Sequence, residues 1–140
     1  MTKIERTFDV PARPENVFAE VSDPARWPRW CDFVKSASPS GPRAHWVYNL
    51  GGMKVESDTE VTERRENAVY AFRQTQGFLK SGTTRLELAP TKAGSQVTWT
   101  LEYELPYSYL GKLVDKLKAK KQFEGAVDAS IRNLGKLLGS

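Results

Sequence analysis

The sequence predicts an α+β domain spanning residues 1–140, in which a curved antiparallel sheet of about six to seven strands wraps around a long C-terminal helix, with two short helices after the first strand. Three observations carry that expectation. Over residues 34–105, apolar and polar residues alternate with period two in short runs separated by turn residues, the pattern of half-buried strands. Over residues 107–138 the spacing lengthens to three and four, with apolar positions at Leu110, Leu113, Val114 and Leu117, then at Phe123, Val127, Ile131, Leu134 and Leu138. The strand connections are short enough to be hairpins. Such connections make neighbouring strands antiparallel and leave one apolar face for the helix to cover.

In chain order, Ile4, Phe8 and Val10 alternate with polar residues in an opening strand, Arg6 shares their inward parity, and Pro11 ends the run. Pro14 stands where the first turn of a helix tolerates proline, and Val17, Phe18 and Val21 give that helix an apolar face up to about Ser22. Asp23-Pro24 restarts a helical turn. It runs into Trp27-Pro28-Arg29-Trp30, two indoles flanking a proline in a compact corner that closes one end of the sheet. A strand follows over residues 34–38, with a turn at Pro39-Ser40-Gly41-Pro42.

Ala44, Trp46, Tyr48 and Leu50 share one face of the next strand, and Gly51-Gly52 is its hairpin turn. Over residues 54–64 Val55, Ser57, Thr59 and Val61 face inward, while Glu56, Asp58 and Glu60 belong to the wet face. A turn at Glu66-Asn67 leads to a strand with Tyr70, Phe72, Gln74 and Gln76 on one face, and the next carries Thr84, Leu86 and Leu88. After Lys92-Ala93-Gly94 comes the clearest alternation of the chain. Val97, Trp99, Leu101, Tyr103 and Leu105 point one way and Thr98, Thr100, Glu102 and Glu104 the other, until Pro106 stops the strand. In the helix, the second apolar set is rotated from the first by roughly a quarter-turn at about 100° per residue, so the helix bends or lies on a strongly curved partner. Gly111 and Gly125 each weaken it by about 1 kcal/mol relative to alanine, which a kink or a close approach to the sheet accounts for.

Composition narrows the function. At 39% apolar and 27% charged residues the chain is an ordinary globular protein. One cysteine, Cys31, forms no internal disulfide, and one histidine, His45, removes most zinc constellations; no metal and no cofactor are expected. No apolar run reaches membrane-span length and the N-terminus has no signal-peptide pattern, so the expected location is cytoplasmic. The net charge of +4 is not concentrated enough for nucleic acid. The one dense patch, Lys112, Lys116, Lys118, Lys120 and Lys121, is interrupted by Asp115 and reads as a solvated face, with contact to an anionic membrane or acidic partner as the alternative. A monomer or weak dimer is expected.

The segments Val10-Pro11-Ala12, Pro14-Glu15-Asn16-Val17-Phe18, Val21-Ser22-Asp23-Pro24 and Trp27-Pro28-Arg29-Trp30, with Leu101-Glu102-Tyr103-Glu104-Leu105-Pro106 and the terminal helix, resemble the START-related SRPBCC superfamily of helix-grip folds. Within it the likeness is to the polyketide cyclase/dehydrase-like branch. The resemblance spans essentially the whole chain and is specific for fold rather than function. It implies a deep cavity between sheet and C-terminal helix, used for lipids, hormones, quinones, polyketides or other hydrophobic molecules. Some members are cyclases that use a pocket tyrosine and an arginine on the strand corresponding to residues 54–64. The inward set there contains no arginine, and a register shifted by one would turn Glu56, Asp58 and Glu60 inward instead.

The expected cavity wall is Trp46, Tyr48, Ser57, Thr59, Tyr70, Phe72, Gln74, Thr84, Leu86, Trp99, Leu101 and Tyr103, with Leu110 and Val114 from the helix. Aromatic surface with sparse neutral hydrogen-bonding groups suits a mostly apolar ligand with a few carbonyl or hydroxyl groups, and a charged ligand would find little to pair with. A carrier or sensor of a hydrophobic small molecule is the first reading. A cyclase or dehydrase using Tyr48, Tyr103 or a buried Arg6 to orient an enolate is the second. Cys31 and His45 make a poor nucleophile–base pair because His45 has outward parity. Phe78-Leu79, between Gly77 and Gly82, reads either as hairpin filler or, with Tyr107, Tyr109 and Leu110, as a cavity mouth.

Overall fold

The computed structural model describes residues 1–106 and 116–139. Its strands are β1 (Thr2–Val10), β2 (Val34–Ser40), β3 (Arg43–Leu50), β4 (Met53–Arg65), β5 (Val69–Gly77), β6 (Ser81–Pro90) and β7 (Ser95–Glu104). Between β1 and β2 lie α1 (Pro14–Val21) and a 3₁₀ helix (Pro24–Arg29), and the described part of the terminal helix is α2 (Lys116–Gly139). All strands belong to one antiparallel sheet in the order β1-β7-β6-β5-β4-β3-β2. Six strands form a meander, and β1 closes onto β7. The expected α+β helix-grip architecture is the one observed.

Local chemistry explains the punctuation. Gly51 and Gly52 both have positive φ, +60° and +83°, as a two-residue hairpin twisted with the sheet requires. Asn67 takes the left-handed conformation at φ 61° in the β4–β5 turn. The Asp23 carboxylate accepts from the Ala25 N–H at 3.1 Å and caps the 3₁₀ turn. Pro39 and Ser40, expected in the turn, extend β2 instead. An edge strand tolerates the missing N–H, so only Gly41-Pro42 remain to turn the chain.

Two irregularities on the β4–β5 ladder change which way side chains point. Asp58 pairs with Gln76 but Thr59 pairs with Gln74, so Thr75 is an extra residue. Gln76, expected inward, is therefore turned to the convex face and exposed. Further on, Val61 pairs with Phe72 and Glu63 with Ala71, leaving Thr62 extra. That second slip puts Arg64 opposite buried Tyr70, on the concave side, with its guanidinium 5.0 Å from the Phe18 ring of α1. The inward set Val55, Ser57, Thr59 and Val61 precedes the slip and keeps its expected orientation.

The terminal helix lies on the concave face through Ala119, Phe123, Val127, Ser130 and Leu134, all buried. Each large apolar member contributes roughly 1.5–3 kcal/mol by leaving water. Polar ties fix where the helix sits. The Arg6 guanidinium donates to Asp128 at 2.9 Å and Glu124 at 3.0 Å, joining α2 to β1. Ser130 Oγ accepts from the Asp32 N–H at 2.7 Å, and the Asn133 amide donates to the Trp30 carbonyl at 3.2 Å. The Arg6 pair is about one-third exposed. At that exposure it adds at most about 1 kcal/mol, so apolar burial holds the helix and the polar contacts set its position.

Three expectations for the helix need revision or lie elsewhere. Leu110, Leu113, Val114 and Gly111 fall outside the described residues. Leu117 is 60% exposed rather than on the buried stripe, because two residues of helix place it about 160° around the axis from buried Ala119. A Cβ at Gly125 would meet nothing within 4 Å, so no close approach to the sheet explains that glycine. Of the lysine patch, Lys118 and Lys121 are exposed and Lys120 is half-buried, while Lys112 and Asp115 lie outside the described residues. No described helix is long and apolar enough to cross a membrane.

Gly125→Ala is accordingly expected to stabilise the protein by about 1 kcal/mol, since it removes backbone entropy from the unfolded chain without a clash. Urea unfolding of the two proteins side by side measures it, through a raised midpoint at unchanged slope.

Candidate functional site

The concave face has a filled half and a hollow half. In the filled half Trp27 stands at the centre of an aromatic cluster. Its ring centroid is 4.5 Å from Trp30, 5.1 Å from Trp46, 5.7 Å from Phe72 and 6.0 Å from Trp99, mostly edge-on, as ring quadrupoles prefer. The Trp27 indole N–H donates to the Val21 carbonyl at 2.9 Å, tying the cluster to the end of α1. The closed end expected from the two indoles is thus built by them, and Trp27 also forms the floor of the hollow beside it.

That hollow is a cavity of about 60 Å³. Of the residues expected to line it, Trp46, Tyr48, Ser57, Thr59, Phe72, Gln74, Thr84, Trp99, Leu101 and Tyr103 do. The ladders bring them together: Trp46 opposite Ser57, Thr59 opposite Gln74, and Thr84 opposite Leu101. Tyr70 and Leu86 share the inward face but not the cavity. Leu86 is fully buried beside Trp99, in the half that the aromatic cluster fills, and Tyr70 borders an open cleft with Arg64, Ser22 and Pro42. Leu110 and Val114 lie outside the described residues.

Sequence reasoning leaves Trp27, Phe33 and Phe123 off the expected wall. Phe123 carries the right signal, the apolar stripe of the helix. Leu50, Phe78 and Phe123 also border a second cavity of about 100 Å³, with Met53, Leu105, Ala119 and Gln122. These three side chains are therefore the partition between two hollows. Phe78 and Leu79 belong to the segment read as mouth or filler, and they fold inward. The Gln74 amide holds them, its Nε2 donating to the Leu79 carbonyl at 2.8 Å and its Oε1 accepting from the Leu79 N–H at 3.3 Å. Gly77 lets this segment come close to β4, where a Cβ would stand 2.5 Å from the Ser57 Cβ.

The wall is neutral. Trp46 Nε1–H donates to Thr59 Oγ1 at 2.7 Å, and the hydroxyls of Tyr48 and Ser57 share a hydrogen bond of 3.0 Å. Burial raises the Tyr48 phenol well above its ordinary pKa, against the opposing hydrogen bond from Ser57, so it is a donor and not a base at neutral pH. Burial likewise raises the Tyr103 phenol, against an opposing contribution from the Thr2 side chain. Glu102, the carboxylate among the lining residues, lies on the outward parity of β7.

The other candidates lie elsewhere. Arg6 is engaged by Asp128 and Glu124 and does not line the cavity. Desolvation pushes the Cys31 thiol up to about 12, so it is protonated and unreactive. His45 is on the convex face, its Nδ1 2.7 Å from Asp58 and its Nε2 3.0 Å from Glu56, with the sheet between it and Cys31. Glu60 is also outward, 4.0 Å from Arg43 and from Arg73. No cluster of three or more metal-ligating side chains occurs among the described residues.

Comparison with known proteins gives a family and a fold. Residues 1–139 match the family described as polyketide cyclase/dehydrase and lipid transport. Among solved structures, a START superfamily protein from Mycobacterium smegmatis superposes with a TM-score of 0.82 at 17% identity, covering 98% of this chain and 97% of that one. A protein from Thermus thermophilus gives 0.76 at 26% identity over 96% and 93%. Ginseng major latex-like protein 151, from Panax ginseng, gives 0.72 at 15% identity over 98% and 97%. No curated protein matches significantly.

The His45 contacts carry a pH signature. Hydrogen bonds to Asp58 and then Glu56 raise the imidazole pKa, because both ring nitrogens donate only in the charged form. A raised folded pKa gives stability that is complete below the unfolded value of about 6.5 and is lost as pH rises through the folded value. The stability difference between wild type and His45→Gln, followed by urea unfolding from acid to mildly alkaline pH, should therefore be largest in acid and fade above neutrality.

Proposed function

The chain belongs to the polyketide cyclase/dehydrase and lipid transport family, and from that premise we propose that it binds and carries a neutral, hydrophobic small molecule between the concave sheet and the terminal helix. The observation that carries this reading is the wall itself. Aromatic and aliphatic side chains surround the hollow, and the polar groups among them are neutral hydroxyls, one carboxamide and three indoles, the Glu102 carboxylate having outward parity. Apolar area then supplies affinity, and the sparse polar groups orient the guest.

Size sets the manner of entry. Ligand pockets are usually about 300–1,000 Å³, whereas the two hollows measure about 60 and 100 Å³. A guest larger than a single small ring displaces the Leu50–Phe78–Phe123 partition and joins them. Phe78 is the movable member, since it sits on the connection between β5 and β6. Cyclase or dehydrase chemistry in the same cavity would draw on Tyr48, Tyr103 or Arg6. Arg6 is paired with Asp128 and Glu124 away from the wall, which leaves no cation among the lining residues to stabilise an enolate and favours binding over turnover.

The neutral fluorescent probe N-phenyl-1-naphthylamine tests the reading. Wild-type protein is expected to take it up saturably with a blue-shifted emission. Thr84→Phe, which fills the hollow from β6, should weaken uptake by at least about tenfold, while Gln96→Phe on the convex face leaves it unchanged. Uptake unaffected by Thr84→Phe would place the probe elsewhere and end the proposal.

A further inference from the structure

Beyond the filled half of the concave face, the end of α1, the β2–β3 turn, β4 and β5 border an open cleft of about 500 Å³. That volume falls within the range of small-molecule sites, roughly 300–1,000 Å³. The cleft shares no lining residue with the hollow. Phe72 separates them: it lines the hollow, and its ring lies 5.8 Å from that of Tyr70, which lines the cleft.

Two donors with little to do meet here. The slip at Thr62 turns Arg64 to this side, where its guanidinium rests 5.0 Å from the Phe18 ring. Its polar partners are distant, the Ser22 carbonyl at 3.5 Å and the exposed Glu66 carboxylate at 3.8 Å. A well-made bond from a guanidinium to a carboxylate measures about 2.7–2.9 Å. The aromatic ring thus orients the cation while leaving most of its N–H groups for a guest. Tyr70 is 2% exposed, and its hydroxyl makes no hydrogen bond among the described residues. Burial keeps that phenol protonated up to about 12; the Arg64 charge opposes the shift and the Asp23 charge adds to it, so both lie within electrostatic reach of the hydroxyl.

The rest of the wall sets the limits on what fits. Asp23 is already engaged, accepting from the Ala25 N–H at 3.1 Å and standing 3.6 Å from Arg26. Its charge nevertheless faces the cleft, so Arg64 can balance one negative charge on a guest and a second would meet repulsion. Pro24, Pro39 and Pro42 offer ring faces and no N–H, a surface for an apolar body.

We propose that this cleft is a second binding site, for a small organic carboxylate, with the forked Arg64 guanidinium and the Tyr70 hydroxyl holding the carboxylate and the three prolines flanking its apolar body. A guanidinium fork matches a carboxylate with two parallel bonds, which an ammonium does not. A charged guest finds nothing to pair with in the hollow, so the concave face carries one site for a neutral molecule and another for a monoanion.

The test compares 2-naphthoate with 2-naphthamide, alike in shape and different in charge, by titration into isotope-labelled protein and readout of amide chemical shifts. Both are titrated into wild type and into Thr84→Phe, whose filled hollow leaves the cleft to be read alone. In Thr84→Phe, naphthoate is expected to bind at least about tenfold more tightly than the amide, with its largest shifts around Arg64 and Tyr70. Adding Arg64→Gln should abolish the preference, and Arg64→Lys, which keeps the charge and loses the fork, should retain only part of it. Tyr70→Phe should weaken naphthoate by about three- to tenfold. 2-Naphthyl phosphate, a dianion above neutral pH, should bind more weakly than naphthoate. Naphthoate bound no better than the amide, unmoved by Arg64→Gln, lost on filling the hollow, or outdone by the phosphate overturns the proposal. The reading of the hollow stands or falls separately, on N-phenyl-1-naphthylamine uptake.

Discussion

The packing of Trp27 against its neighbouring aromatic rings is the constraint on which the rest of the concave face depends. A seven-stranded sheet with one apolar face has more surface to cover than a single helix can reach. The 3₁₀ turn delivers an indole to the middle of the uncovered part, and the Trp27 N–H bond to Val21 fixes it there. Because the cluster takes in Trp46, Phe72 and Trp99, it draws together β3, β5 and β7, strands that are not neighbours. The hollow is what remains between this plug and the terminal helix. Its floor is therefore packed on every side, while its far side is a single hairpin connection.

The two faces of the sheet divide the electrostatics cleanly. On the convex side carboxylates and cations alternate across neighbouring strands: Glu63 with Arg85 and Arg65, Glu87 with Arg85, Glu60 between Arg43 and Arg73, and Asp58 and Glu56 around His45. Arg85 holds the Glu63 carboxyl below its ordinary range. These pairs are exposed and contribute little each to stability. Their effect is on specificity, since a strand shifted by one residue would bury them.

Alternation of apolar and polar residues makes most of this legible in the sequence. The inward sets of β3, β6 and β7 can be read directly, because a half-buried strand shows its two faces in its own residue order. The two extra residues of the β4–β5 ladder cannot be read, since Thr62 and Thr75 look like any outward threonine and only the pairing with the neighbour reveals the slip. Hence alternation alone assigns Gln76 to the wrong face and does not carry Arg64 across to the concave side. Tyr70 and Leu86 are on the right face but in the filled half, a distinction that depends on where Trp27 lands and not on anything local to either residue. Leu117 shows the converse: a helical spacing runs through it, but the buried stripe that begins at Ala119 lies on the opposite side of the helix.

The Gln74 carboxamide grips Leu79 at both its N–H and its carbonyl, and Leu79 in turn rests over Gly82, whose missing Cβ leaves the room it occupies. One amide plane serves both bonds, so a displacement that carries Leu79 off the wall of the hollow breaks the two of them. The connection between β5 and β6 is thereby tied down at its middle as well as at its two ends.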